Sequence, residues 1–111
     1  LVNEFARVCD RVYVTTDDGS EGFKGNVVQL MEKENLTADM IYSCGPKIML
    51  KFLSEYAMKN NIPCQVSMEE RMACGIGACV GCVVEIKEGD GTTYKKVCKD
   101  GPVFDCKEVV W

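Results

Sequence analysis

The stretch DMIYSCGPKIMLKFLSEYAMKNNIPCQVSM, from Asp39 to Met68, decides the fold. Asp39–Ser43 reads as a buried strand closed by Cys44-Gly45-Pro46. Pro46 suits the first turn of a helix, where its fixed φ is already helical and its missing N–H would lack a partner anyway. Ile48, Met49, Phe52, Leu53 and Tyr56 then recur at 3.6-residue spacing to about Asn60. A further strand runs through Cys64–Met68. Upstream, Arg11–Thr16 is a short β-branched run ending in an Asp17–Ser20 turn. Gly25–Glu34 reads as a short helix with Val27, Val28, Leu30 and Met31 on its apolar side. Strand and helix in alternation imply right-handed crossovers and a parallel sheet. Ligands of such sheets bind beyond the carboxyl ends of the strands. Thr15–Ser20 and Cys44–Pro46 are therefore candidate ligand loops, although each is also an ordinary turn or helix start. No G-x-G-x-x-G is present to cradle a pyrophosphate.

The chain of 111 residues is long enough for one compact domain with a small appendage. It opens inside a helical pattern, with Val2, Phe5, Ala6 and Cys9 at helical spacing and no capping residue before them. A start of that kind, without Met, suggests a piece of something longer. No apolar run approaches the roughly 20 residues needed to span a bilayer, and no secretory signal is evident. No membrane association is expected. The net charge of −4 argues against nucleic-acid binding, which needs clustered Lys and Arg. Histidine is absent, which removes His-based triads, zinc sites with His ligands and Rieske-type clusters.

Eight cysteines invite a disulfide reading. Against it stand the missing signal peptide and an apolar content sufficient to build a core. Three cysteines also crowd together, in Ala73-Cys74-Gly75-Ile76-Gly77-Ala78-Cys79-Val80-Gly81-Cys82, with Cys98 further on. This is C-x4-C-x2-C plus a distant fourth cysteine, the plant-type [2Fe–2S] spacing. Such a core with its four thiolates carries a net charge of about −2 when oxidised, which backbone N–H groups offset. Gly75, Gly77 and Gly81 let the backbone approach closely. Val83–Lys87 and Thr92–Val97 are β-rich, with a turn signal at Glu88–Gly91. Folding there brings Cys82 and Cys98 nearly opposite, about 5 Å apart for a cross-strand pair. Zinc bound by four cysteines is the competing reading. It usually pairs two C-x2-C knuckles, whereas Cys98 stands alone and Cys106 is too distant to complete a knuckle. Cys9, Cys64 and Cys106 read as packing residues.

Glu69–Cys79 and Lys96–Phe104 closely resemble the electron-transfer subunit of type B dihydroorotate dehydrogenase, in the ferredoxin–NADP reductase superfamily. Tyr13–Gly19 and Tyr42–Pro46 are similar to the same family. The resemblance implies an α/β fold: a partial parallel sheet, the C-terminal part of a nucleotide-binding domain, over residues 1–66. A small β-rich [2Fe–2S] module follows over residues 67–111. It implies Cys74, Cys79, Cys82 and Cys98 as cluster ligands, and Cys44, Gly45 and Pro46 near the nicotinamide of NAD. In the family, electrons pass from an FMN-containing catalytic subunit that oxidises dihydroorotate, through the cluster and FAD, to NAD in the cytoplasm, as part of pyrimidine biosynthesis. FAD and NAD belong to the full-length protein. With the FAD barrel and the first strands missing, FAD binding by this chain is not expected and it lacks a complete catalytic site. A flavin and iron–sulfur subunit of another NAD(P)H-linked oxidoreductase, of ferredoxin reductase or hydrogenase type, fits the same segments.

Overall fold

A computed structural model describes residues 1–70, 73–78 and 81–111. The chain is of mixed α/β type and divides into two compact units, Leu1–Leu36 and Thr37–Trp111.

In the first unit, α1 (Val2–Val8) buries none of its residues. It is followed by β1 (Thr15–Thr16), which pairs in parallel with β2 (Phe23–Lys24). The expected strand over Arg11–Thr16 is thus reduced to its last two residues. Its partner is local rather than the strand near residue 41. The intervening loop satisfies itself. Thr16 Oγ1 donates to the Glu21 carbonyl at 2.8 Å, and Asp18 Oδ1 accepts the Ser20 N–H at 2.9 Å. α2 (Val27–Lys33) starts with a reciprocal capping box, in which Asn26 Oδ1 accepts the Gln29 N–H and Gln29 Oε1 accepts the Asn26 N–H. Leu30 is its buried residue, and Lys33 lies 4.9 Å from the Phe23 ring centroid.

The second unit holds the β-α-β element read from residues 39–68. β3 (Ile41–Cys44) leads into α3 (Lys47–Lys59), which returns to β4 (Cys64–Ser67) in parallel register, Ile41 opposite Cys64 and Cys44 opposite Ser67. Pro46 is the N-cap of α3. The helix ends in a Schellman arrangement. Asn61 takes φ +55°, its N–H reaches the Met58 carbonyl, and the Ile62 N–H reaches the Ala57 carbonyl. The buried face of α3 is Leu50, Leu53, Ser54, Tyr56 and Ala57. Ile48 and Phe52 fit the apolar period yet are 64% and 47% exposed. The sheet therefore packs on a stripe rotated away from the one that apolar spacing alone selects.

β5 (Val83–Glu88) and β6 (Gly91–Lys96) form the expected hairpin, in register from Val83 opposite Lys96 to Glu88 opposite Gly91. Gly89, at φ +57°, takes the first central position of its two-residue turn, as a type II′ turn requires. α4 (Val97–Asp100) begins where the hairpin ends. The last strand, β7 (Val103–Asp105), runs antiparallel to β4, giving the sheet order β3-β4-β7. Beyond it the Val110 N–H donates to the Glu85 carbonyl, and Val109 bridges Ile86. Residues 103–110 thus tie the sheet to the hairpin, and their apolar side chains join one core. Val66, Val84, Ile86, Val97, Phe104 and Val109 are all at most 5% exposed there. No helix among the described residues is long and apolar enough to cross a membrane.

Candidate metal centre and strand-end pocket

The cysteine loop and the mouth of the hairpin meet. Val97 donates its N–H to the Cys82 carbonyl at 2.9 Å, which extends the β5–β6 ladder by one step. That step puts Cys98 beside Cys82, with the two sulfurs 3.3 Å apart. Cys82 is buried and Cys98 half-buried. The N–H groups of Cys98 and Val97, at the start of α4, point at the Cys82 sulfur, and the two thiols are hydrogen-bonded to each other. Together they lower the Cys82 pKa from its ordinary value. Cys98 shifts the other way, because its proton is held by Cys82 and burial disfavours its charge. The Gly77 N–H opposes both effects.

Cys74 is half-buried, and its sulfur accepts the Ile76 N–H at 3.5 Å. It is near enough to Cys82 and Cys98 to act on both electrostatically. Among the described residues, no three His, Cys, Asp or Glu side chains converge closely enough to hold a single metal ion. Cys79 lies outside the described residues. The structure thus brings Cys82 and Cys98 into contact, with Cys74 nearby. Gly75 and Gly77 have φ +71° and +82°, a region that side-chain-bearing residues enter only at a cost.

The amides of Val97 and Cys98 were not legible as sulfur donors, since their segment reads as the end of a strand. The lysines around the loop were missed as well. The Lys96 ammonium donates to the Gly77 carbonyl, and the Lys99 side chain lies so close that a Cβ on Gly77 would sit 2.7 Å from its Cδ.

The remaining cysteines fall into two kinds. The seven described cysteines are all thiols outside any disulfide. Cys64 and Cys106 face each other across β4 and the end of β7, both at most 2% exposed. Burial, then the neighbouring Cys106, pushes the Cys64 pKa up to about 11. Cys9, expected to pack, is exposed at the C-cap of α1 instead.

Cys44, Gly45 and Pro46 lie at the carboxyl end of β3. An open depression of about 560 Å³ there is lined by Tyr42, Ser43, Cys44, Gln65, Ser67 and Val103. Gly45 has φ +151°, and a Cβ on it would fall 2.5 Å from Met49 Cε. Glycine lets the chain pass closely over the helix at that point. Cys44 is exposed.

Residues 69–110 match the family described as the iron–sulfur cluster binding domain of dihydroorotate dehydrogenase B. The whole chain is 53% identical to the dihydroorotate dehydrogenase B (NAD(+)) electron transfer subunit of Caldanaerobacter subterraneus subsp. tengcongensis, over 111 residues and 44% of that protein. The chain is homologous to part of this electron transfer subunit. The subunit of Geobacillus thermodenitrificans is 51% identical over 98 residues, 88% of this chain and 37% of the relative. The chain spans about two fifths of the length of the family members it matches. Among solved structures, an NADH-dependent reduced ferredoxin-NADP oxidoreductase, described for flavin-based electron bifurcation, matches all of this chain and 39% of its own. It does so at TM-score 0.80 and 37% identity. This chain and that oxidoreductase therefore share one fold over the region this chain covers.

Proposed function

We propose that this chain is the cluster-bearing part of an electron transfer subunit. In that role it accepts electrons from a dihydroorotate-oxidising FMN subunit and passes them through FAD, held elsewhere in the assembly, to NAD. Cys74, Cys79, Cys82 and Cys98 would hold a [2Fe–2S] cluster. When bound, that group moves electrons singly, and a flavin converts between single electrons and hydride. The observation that carries the reading is the Cys82–Cys98 pair, 3.3 Å apart with amide hydrogens aimed at both sulfurs. A tetrahedral ion with metal–sulfur bonds of about 2.3 Å holds its thiolates roughly 3.8 Å apart. The pair therefore needs only a small opening to share one iron. Thiolates supplied with amide donors suit an anionic iron–sulfur core.

The residues divide the work. The α4 amides stabilise the Cys82 thiolate, Gly77 serves Cys98, and the buried core beneath β5 fixes the hairpin that presents both. In this reading residues 1–66 are the NAD-binding segment and residues 67–111 the cluster module, in a fold of ferredoxin reductase type. Cys44, Gly45 and Pro46 line the nicotinamide end, which the strand-end depression beside Cys44 supports. The location is cytoplasmic, where thiols stay reduced.

The likeness to the NADH-dependent oxidoreductase favours a second reading, a subunit serving ferredoxin rather than dihydroorotate. Affinity capture of the native complex separates the two. Recovery of an FMN subunit, with dihydroorotate bleaching the cluster absorbance, is the expected result. Bleaching by reduced ferredoxin and not by dihydroorotate would replace the first reading with the second.

A further inference from the structure

Lys96 closes β6 just before α4, and its backbone N–H is fixed by Asp100 Oδ2 at 2.9 Å. From that anchored position its ammonium crosses to the Gly77 carbonyl in the cysteine loop. A lysine on a surface carbonyl ordinarily means little. Here the carbonyl belongs to the residue whose own N–H serves the Cys98 sulfur. Gly77 is also covered on its Cα by the Lys99 chain. It is thus held at its carbonyl by one lysine and at its Cα by another, while its amide faces a sulfur.

We propose that Lys96 is a positioning residue for the cluster site: it clamps Gly77 so that the Gly77 N–H stays on Cys98, and it keeps a positive charge beside the sulfurs. Lys96 thereby raises the reduction potential of the cluster. The inference rests on the cluster reading above. One-electron reduction takes the core with its four thiolates from a net charge of about −2 to about −3, with no proton taken up. A fixed cation and a fixed N–H dipole both favour the more negative form. Salt weakens the part that is direct charge attraction.

The test is a dithionite-poised potential titration, followed by electron paramagnetic resonance. It uses the full chain reconstituted under nitrogen with iron and sulfide. Lys96→Gln should lower the midpoint potential, more at low salt than at high, and Lys96→Arg should restore it. Lys87→Gln removes the same charge from the turn end of the hairpin, about 17 Å along β5 from Cys82, and should leave the potential unchanged. A Lys96→Gln protein with a full cluster and an unchanged potential would overturn the proposal, as would an equal shift from Lys87→Gln. If Lys96→Gln holds no cluster, Lys96→Arg decides. A wild-type potential there supports the clamp, and loss of the cluster there too refutes it. Wild-type protein that takes up no iron and sulfide would sink the cluster reading itself, so the two failures are told apart.

Discussion

Two pairs of cysteines lie within this unit, and their surroundings separate them. Cys64 and Cys106 face each other across two strands, both buried, and burial drives the Cys64 pKa up to about 11. Cys82 and Cys98 are also in contact, but amide hydrogens converge on their sulfurs and lower the Cys82 pKa. The first pair is packing material kept protonated. The second favours charge at Cys82, because a sulfur carries charge more readily where dipoles meet it. Proximity of two cysteines alone would not have distinguished them.

The largest expected difference is in cofactor retention. Cys98→Ser or Cys82→Ser should abolish the visible absorbance of reconstituted protein, whereas Cys106→Ser should leave the spectrum intact while costing about 1–3 kcal/mol of stability. Equal spectra for Cys98→Ser and Cys106→Ser would erase the contrast. Next comes thiol reactivity. A pKa near 11 against an ordinary value of 9.0 leaves Cys64 on the order of a hundredfold less thiolate near neutral pH than an unshifted thiol would carry. Iodoacetamide labelling followed by mass spectrometry should therefore modify exposed Cys9 well before buried Cys64, and comparable rates would show the Cys64 pocket to be open.

Stability should report the same proton. The folded pKa of Cys64 is raised, so the native state retains a proton that the unfolded chain gives up. Its contribution is fully present below about pH 9 and is lost as pH rises toward about 11. Urea unfolding of wild type and Cys64→Ala should differ by about 2 kcal/mol less at pH 11 than at pH 8. A pH-independent difference would contradict the buried, protonated assignment. The smallest effect belongs to the loop. Gly77→Ala should cost about 1–2 kcal/mol for its positive φ, and more than Gly75→Ala, because only Gly77 has Lys99 against its Cα. Indistinguishable melting curves for the two variants would remove Lys99 from the account.

The pattern of legibility follows from which forces are local. α3 and the strands flanking it were readable to within two residues, because the apolar period and Pro46 act within a few residues of the chain. The hairpin was readable too, since Gly89 and its neighbours dictate the turn. The face of α3 was not. Ile48 and Phe52 satisfy the period as well as Leu50 and Ala57 do, and only the position of the sheet decides between them. β7 escaped because three residues carry almost no periodic signal, and its pairing with β4 is set by tertiary contact. The Arg11–Thr16 run looked like a sheet strand on β-branching alone, yet the nearby Phe23–Lys24 segment captured its end. At the site, cysteine spacing named the sulfurs, and the turn explained how Cys98 reaches Cys82. The donors that complete the environment come from α4 and from Lys96, whose roles depend on where the chain turns after the hairpin.

The central claim is that the Cys82–Cys98 pair belongs to an iron–sulfur site. Its most direct test is the iron and acid-labile sulfide content of the chain purified and reconstituted without oxygen. About two irons and two sulfides per chain, in a red-brown protein that dithionite bleaches, is the predicted result. A colourless protein holding one zinc per chain and no sulfide would contradict it.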